Sequence, residues 1–413
     1  MKNNSLSTSY FNLVTSHPHL LLFGFVMTFS SSLGQTFFIG AFGPSIQEEF
    51  GLNHSAWGGI YMLGTILSAL FLPWTGQLID NIQLTKYTNI VILSLCTSGL
   101  LISIIPYYWF LVPVIFFLRQ TGQGLTSHIA VTTMARYFSA NRGKSVALAA
   151  LGYAVGESFL PLLVVIAIST VGWRVTYGGA ASFLLLIFFP LIMWLLKRSL
   201  KRLPNENLQS AENQQSAPGA RISWTRREML SHWRFYLIMP AVIAPSFIGT
   251  ALFFHHLTLA EAKGWSAVWI TGSYWVYALG SVTASLGFGP IIDRITAIKA
   301  VPLFLLPKIL ALVIIWSFSN PFWAWPYLLL LGLNVGMLYT GVTALWAELY
   351  GPKHLGSIRS LVVAITVLAS ALGPPCMGIL IDFSISIETI CAIFAVYCLG
   401  AAMLMVTGLM KVK

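Results

Sequence analysis

Two charged side chains lie inside long apolar stretches of the chain. Arg119 is found in FFLRQTGQG and Glu157 in GYAVGESFLP. Because a charge at the depth of a lipid bilayer is expensive, such residues face a cavity or a partner. At 1.5 Å of rise per residue, Arg119 lies roughly 25 Å and Glu157 roughly 21 Å along their helices from a shared basic hinge at residues 136–144. The sequence therefore predicts that the two side chains meet as a pair or share a water site.

The chemistry of this pair is open between two interpretations. In the first, Glu157 takes up a proton and frees Arg119 to bind an anionic substrate. Arg119 is then a substrate ligand and Glu157 a proton-coupling residue. In the second, the pair is a static buried salt bridge that only fixes helix packing.

Other polar and aromatic residues in the apolar stretches extend the candidate site. Lys308 would supply a second cation for an anion, or its side chain would reach back to the cytoplasmic interface. His255 and His256 would form a proton site near the outer surface, or would be interfacial histidines satisfied by water. The remaining candidate substrate contacts are amides and aromatic rings, and rings equally anchor proteins at the membrane interface: Gln35, Gln123, Tyr274, Tyr277, Asn334 and Tyr339.

The composition indicates which elements must position these residues. Of 413 residues, 57% are hydrophobic and only 8% are charged, against about 25% charged in a soluble domain. The chain is therefore predicted to be an integral membrane protein. Its net charge of +11 comes from cations in loops between apolar runs, a pattern typical of the positive-inside rule rather than of nucleic-acid binding. The four cysteines lack the spacing of metal ligands, so we expect no metal and no cofactor. No phosphate loop or nucleophile–base pair is recognisable, and we therefore expect no enzymatic activity.

Apolar runs long enough to cross a membrane as helices, which takes about 20 residues, occur twelve times. We number these spans one to twelve: 20–47, 56–79, 87–105, 108–135, 144–169, 174–196, 234–260, 265–289, 299–319, 323–348, 357–381 and 386–410. The polar run 203–222 is predicted to be a flexible linker. The predicted domains are thus an N-terminal six-helix bundle (1–198), a linker loop (199–233) and a C-terminal six-helix bundle (234–413). The Lys and Arg distribution predicts that both termini lie in the cytoplasm. The expected location is the cytoplasmic (inner) membrane.

The two halves are predicted to be a parallel repeat. When the sequence is shifted by 213 positions, five landmark residues coincide at equivalent places of the two halves. The coinciding pairs are Gly76 with Gly289, Asp80 with Asp293, Tyr137 with Tyr350, Gly143 with Gly356, and Pro161 with Pro374.

In these features the chain resembles the major facilitator superfamily. The family's motif after span two appears as Gly76-Gln77-Leu78-Ile79-Asp80-Asn81, and its second copy as Gly289-Pro290-Ile291-Ile292-Asp293-Arg294. The resemblance implies a fold of twelve transmembrane helices and an inner gate held by charged loop residues. The gating residues implied in this way are Gly76, Asp80, Arg142, Asp293 and Arg294. In the alternative interpretation these residues only cap helix ends, because a charge at a helix end interacts favourably with the helix dipole without any gate.

The block from Arg136 to Pro161 is most similar to the monocarboxylate and oxalate–formate branch of that family. It combines an Arg-Gly hinge with Gly152-x-x-x-Gly156 and then Pro161, a small-residue face followed by a kink. Glu157 occupies the position where drug/proton antiporters usually carry a proline. Span eight, in contrast, lacks the branch's Asp-Arg pair.

The sequence as a whole predicts a secondary active transporter that moves a small organic anion by alternating access with proton symport. A carboxylate-type siderophore fits the same charges. Two alternatives stay open: a proton-driven exporter of lipophilic drugs or cations, and a non-transporting membrane sensor with the same fold. The expected partners are a small-molecule substrate and membrane lipid, with no nucleic acid, and the protein is expected to be a monomer.

Overall fold

The computed structural model of the protein describes residues 12–138, 141–201, 224–351 and 354–410, and of residues 142, 293 and 356 it describes the backbone only. Every regular element in these ranges is a helix, which confirms the predicted all-α fold class. The predicted linker at 203–222 lies outside the described residues, as do the side chains of Arg142 and Asp293.

Helices long and apolar enough to cross a membrane number ten among the described residues. They are His54–Asn81, Leu84–Ile104, Gly143–Val171, Trp173–Leu200, Trp233–Phe254, Ala267–Ile292, Ala297–Ser317, Pro321–Tyr350, Ser357–Asp382 and Ile387–Met410. They correspond to every predicted span except the first and the fourth. Those two spans are also helical, but each is interrupted near its middle.

Span one is a broken helix. An α-helix over Pro18–Ser30 tightens into a 3-10 turn at Ser31–Gly34. The chain then becomes extended at Gln35 (φ −84°, ψ 153°). Helix resumes over Thr36–Ala41 and continues as Gly43–Phe50. Gly34 is required at the break, because a Cβ there would lie 2.0 Å from the Leu118 carbonyl oxygen of span four.

Span four changes helix type at Arg119. An α-helix over Leu111–Leu118 gives way to a π-helical segment at Arg119–Thr126, and α-helix returns over Ser127–Tyr137. The Thr126 hydroxyl donates to the Thr121 carbonyl at 2.6 Å, a hydrogen bond that bridges five residues. Such π segments are rare and occur frequently at functional sites. Span six has a similar segment at Leu184–Phe188.

The chain forms two compact units whose boundary differs from that of the predicted halves. The first unit contains the chain up to Ile39 and again from Leu63 onward; the second contains the C-terminal half together with Gly40–Met62. This segment joins the second unit because its aromatic residues pack there. The Trp57 ring stacks on Phe254 at 5.3 Å between centroids, and the Tyr61 ring lies 4.6 Å from the same phenylalanine.

In the first unit, small residues let the helices approach closely. A Cβ on Gly152 would lie 2.0 Å from the Phe25 carbonyl oxygen, and one on Gly156 would lie 2.2 Å from the Ser32 hydroxyl oxygen. The Gly-x-x-x-Gly face predicted on span five is thus packed against span one.

In the second unit, spans eight and ten are packed backbone to backbone, since a Cβ on Gly332 would lie 2.1 Å from the Tyr277 carbonyl oxygen. An ion pair joins the connection after span seven to the first turn of span twelve in the same unit. Lys263 Nζ donates to Glu388 Oε1 at 2.9 Å, and the lysine side chain is almost fully buried.

Candidate functional site

The break in span one leaves two consecutive carbonyls that side chains of other spans satisfy. The Tyr177 hydroxyl of span six donates to the Leu33 carbonyl at 2.8 Å. Arg119 Nη1 of span four donates to the Gly34 carbonyl at 3.0 Å and to the Thr36 hydroxyl at 3.4 Å. Backbone groups at membrane depth need internal partners wherever a helix is interrupted. The break is therefore held by a tyrosine and an arginine.

Arg119 owes its position to close packing between spans one and four. It begins the π-helical segment and is 1% exposed. One turn further on, a Cβ on Gly122 would lie 2.8 Å from the Gly34 Cα atom. Two glycines facing each other allow the backbones to touch, which brings the guanidinium to the interrupted helix.

Glu157 lies on span five, buried, with a different partner. Its Oε1 accepts a hydrogen bond from the Tyr153 hydroxyl at 3.3 Å, and 6% of its surface is exposed. The preceding residue, Gly156, faces Ser32 at the break. The Ser32 hydroxyl is buried and has no hydrogen-bond partner among the described residues.

The predicted Arg119–Glu157 pair is not formed. Arg119 is bonded to neutral oxygens of span one, and Glu157 is bonded to Tyr153 within its own helix. The physical reason is that span one packs against both span four and span five, and its break offers the guanidinium a backbone carbonyl. Residues 31–36 of span one, with Arg119, Tyr153, Glu157 and Tyr177, form the candidate site of the first unit.

The two glutamines predicted as substrate contacts in this unit differ in environment. Gln35 is the extended residue of the break, is 6% exposed, and its Nε2 lies 3.5 Å from the Ser31 hydroxyl oxygen. Gln123 is exposed. The buried glutamine of span four is Gln120, which accepts from the Ser68 hydroxyl at 2.9 Å and donates to the Thr75 hydroxyl at 2.6 Å.

The gating residues are only partly described. Asp80 forms an ion pair with Arg136 at the end of span four. Gly76 faces His128, whose Nε2 would lie 3.8 Å from a Cβ at that glycine. Arg294 is exposed, and the side chains of Arg142 and Asp293 lie outside the described residues. At the corresponding end of the second unit, Glu348 accepts the Ala297 N–H at 2.7 Å.

Lys308 is buried within the second unit. The side chain is 1% exposed, and its Nζ donates to the Pro245 carbonyl of span seven at 3.4 Å. Nearby in the same unit, Asn334 is fully buried and donates to the Phe304 carbonyl at 2.8 Å. Tyr339 is 72% exposed.

The two histidines of span seven are buried, and each has a hydrogen-bond partner in the protein. His256 Nδ1 lies 2.6 Å from the Tyr274 hydroxyl, and His255 Nε2 lies 2.9 Å from the Pro374 carbonyl oxygen. Tyr277 lies beside them in an aromatic cluster around Phe253, with ring centroids 5.0 Å apart.

Among the described residues, no three His, Cys, Asp or Glu side chains are grouped so that they could hold a metal ion. The four cysteines are free thiols; Cys96, Cys391 and Cys398 are buried, and Cys376 is half-buried.

A multi-pass helical membrane protein with a broken span and buried charges at the break has the features of a membrane transporter. The chain belongs to the Major Facilitator Superfamily, whose sequence profile matches residues 24–374. It is a transporter of that family. A search of curated protein sequences finds no match.

Solved transporter structures share this fold. The nucleoside transporter NupG superposes with a TM-score of 0.71 at 12% identity, over 95% of this chain and 100% of that one. A bacterial homologue of the human lysosomal transporter Spinster, inward-facing and occupied, superposes with a TM-score of 0.68 at 12% identity, over 96% and 93% of the two chains. At these identities the likeness concerns the fold alone. The monocarboxylate and oxalate–formate resemblance is not reproduced among these relatives.

Proposed function

We propose that the protein moves a small organic anion across the cytoplasmic membrane by alternating access, coupled to protons. The observation that carries the proposal is the setting of Arg119. The guanidinium is buried at the break of span one and is bonded there to a carbonyl and a hydroxyl, both neutral. The Glu157 carboxylate is bonded to Tyr153 instead. A guanidinium presents five N–H donors in a planar fork that matches a carboxylate, so Arg119 is the proposed ligand of an anionic substrate.

Glu157 is the proposed proton-coupling residue. It is buried near the same break and accepts a hydrogen bond from Tyr153. A carboxyl in such a place changes the local charge by one unit when it gains or loses a proton, and intramembrane carboxyls commonly serve as proton relays. Proton exchange at Glu157 would alter the field at Arg119 without a direct salt bridge between them.

The proposal assigns different roles to the cations of the two units. Lys308 donates to a backbone carbonyl inside the second unit, so we assign it to helix packing. His256 and Tyr274 stay candidate polar contacts of the second unit, because their hydrogen bond at 2.6 Å fixes both rings.

The test is ligand-dependent thermal unfolding of the detergent-purified protein with a panel of organic anions, including carboxylate-type iron chelates, at pH 5.5 and 7.5. A ligand at one hundred times its Kd stabilises the folded state by about 2.7 kcal/mol. We expect stabilisation by at least one anion, lost in Arg119→Gln.

Arg174→Gln is the matched control. Arg174 also donates to backbone carbonyls of the first unit, those of Ser103 at 3.1 Å and Ile105 at 2.8 Å. This variant should lower the melting temperature but keep the increment caused by the anion. If both variants lose the increment equally, general destabilisation explains the result and the anion site at Arg119 is wrong.

Export of lipophilic cations is the second candidate function. It requires a buried carboxylate that Arg119 leaves free, and Glu157 meets this condition. Stabilisation by lipophilic cations alone, kept in Arg119→Gln and lost in Glu157→Gln, would favour it. A sensor that transports nothing would bind its ligand but accumulate none in proteoliposomes.

A further inference from the structure

A six-residue helix, Arg226–Ser231, precedes span seven and turns into it at His232 (φ −103°, ψ 125°). A capping box fixes its start: the Thr225 hydroxyl accepts the Glu228 N–H at 3.3 Å, and the Glu228 carboxylate accepts the Thr225 N–H at 2.6 Å. The Thr225 N–H and the Thr225 hydroxyl both donate to the Glu228 carboxylate and hold the pKa of that carboxyl below its usual value. The cap therefore stays charged at neutral pH, which gives the short helix a defined beginning.

This helix packs against the second unit. The Trp224 N–H donates to the Tyr350 carbonyl at the end of span ten at 2.9 Å. The Trp224 ring meets the Tyr350 ring at 5.7 Å and the His232 ring at 5.1 Å. Met229 is fully buried on the inner side. One face of the helix is therefore packed against the rest of the protein.

The other face carries cations and exposed aromatic rings. Arg226 and Arg227 are exposed, and Trp233 and Tyr236 are 47% and 59% exposed. The Arg234 guanidinium lies 5.8 Å from the centre of the Trp233 ring. The Tyr236 hydroxyl donates back to the Leu230 carbonyl at 2.9 Å, which holds its ring beside the helix.

The two arginines do not stabilise the helix itself. They occupy its first turn, where the helix dipole disfavours positive charge. Cations in that position, beside exposed Trp and Tyr rings at the start of a membrane span, fit a surface that meets lipid headgroups.

We propose that this surface, formed by helix Arg226–Ser231 with Trp233 and Tyr236, binds anionic phospholipid headgroups of the cytoplasmic leaflet. The arginines meet the phosphates, and the two aromatic rings lie at headgroup depth. Each cation close to an anionic lipid surface changes affinity by about five-fold. The proposal depends on a cytoplasmic position for this end of span seven and not on the substrate, so it can fail or hold separately from the proposed transport function.

The test uses the full-length protein in a neutral detergent, titrated with phosphatidylglycerol or phosphatidylcholine while thermal unfolding is followed. We expect phosphatidylglycerol alone to raise the melting temperature. In Arg226→Gln and Arg227→Gln the lipid concentration at half effect should rise by about five-fold each. Replacing both arginines by lysine keeps the charge and should keep most of the effect.

The control pair is Lys197→Gln with Arg198→Gln, which removes the same charge from the exposed end of span six. The proposal is overturned if this pair raises the half-effect concentration as much as the Arg226 and Arg227 variants do. It is also overturned if the double glutamine variant responds like the wild type, or if inorganic phosphate stabilises as well as phosphatidylglycerol. Should the double glutamine variant unfold, the lysine pair and the single variants decide the same question.

Discussion

Two side chains from different spans cap the first helix of span one, because they donate hydrogen bonds to its last two carbonyls before the break. Tyr177 is bonded to Leu33 and Arg119 to Gly34. Each donor replaces a backbone N–H that a continuous helix would have supplied. The tyrosine contributes a neutral bond, whereas the arginine also brings a charge, and only the charge is needed for an anionic substrate.

Tyr177→Phe tests the structural part of this arrangement. The substitution leaves the buried Leu33 carbonyl without its donor, so we expect destabilisation by about 1–3 kcal/mol, measured as a lower melting temperature in detergent. Tyr327→Phe is the control, because the buried Tyr327 hydroxyl has no hydrogen-bond partner among the described residues. Equal losses in the two variants would show that the bond to Leu33 is not what stabilises the break.

Glu157→Gln tests the coupling part. A glutamine oxygen can still accept the hydrogen bond from Tyr153, so we expect the variant to fold and to unfold at a temperature close to that of the wild type. We expect the variant to lose uphill accumulation driven by a pH gradient in proteoliposomes, while exchange of substrate across the membrane continues. Glu261→Gln, at an exposed acid, should behave as the wild type. Proton-driven accumulation that persists in Glu157→Gln would remove this residue from the mechanism.

At this scale the sequence predicts which residues are buried better than it predicts what they touch. Arg119 and Glu157 are both buried, as two charges within apolar runs suggest. Their contact could not be predicted, because it depends on where span one breaks and on which carbonyls become free there. Ser-Ser-Leu-Gly-Gln gives a weak local signal for that break, and Tyr177 carries no signal at all, since its role exists only once spans one and six are packed.

Among the elements, spans one and four are irregular where they touch. The 3-10 turn and extended Gln35 of span one lie against the π-helical segment of span four. A regular helix of 100° per residue gives the wrong angular positions beyond Arg119. In this segment Gln123, the predicted substrate contact, is exposed, whereas Gln120 is buried.

Gly122→Ala tests the contact between these two elements. Its Cβ would lie 2.8 Å from the Gly34 Cα and 2.9 Å from the Gly34 nitrogen, both backbone atoms that cannot rotate away. We expect a cost of about 1–3 kcal/mol from overpacking, together with weaker anion binding as Arg119 is displaced. Gly179→Ala is the control, because nothing lies within 4 Å of its Cβ. Unchanged stability and binding in Gly122→Ala would mean that the spans have room to separate.

For the molecule as a whole, the segment Gly40–Met62 belongs to the second compact unit, while the division into six-span halves stays a prediction. The repeat of 213 positions, the six-span halves and the linker are predictions from the order of residues along the chain. Trp57 and Tyr61 pack on Phe254 and connect this segment to the second unit. Sequence alone does not predict this packing, because the residues in contact are far apart along the chain.

Asp382 is the polar residue that holds this segment. Its two carboxylate oxygens accept the N–H groups of His54 at 3.0 Å and Ser55 at 2.8 Å, at the beginning of span two. Asp382→Asn removes the charge from this helix N-terminus and replaces one acceptor by a donor. We expect a loss of about 1 kcal/mol, seen as five-fold faster hydrogen exchange of the amides in residues 52–62. Exchange that stays as in the wild type, or that rises equally in Glu261→Gln, would contradict the assignment.

The two units are connected by three passages of the chain. The chain passes from one unit to the other after Ile39, after Met62 and again in the central linker. A cut in the linker would therefore not release two self-sufficient pieces. The C-terminal piece would lack the helix start that Asp382 binds and the indole that covers Phe254, while the N-terminal piece would carry both. The C-terminal fragment therefore needs the segment Gly40–Met62 of the N-terminal fragment, and the contacts of this segment with Asp382 and Phe254 would bring the two fragments of a split protein together.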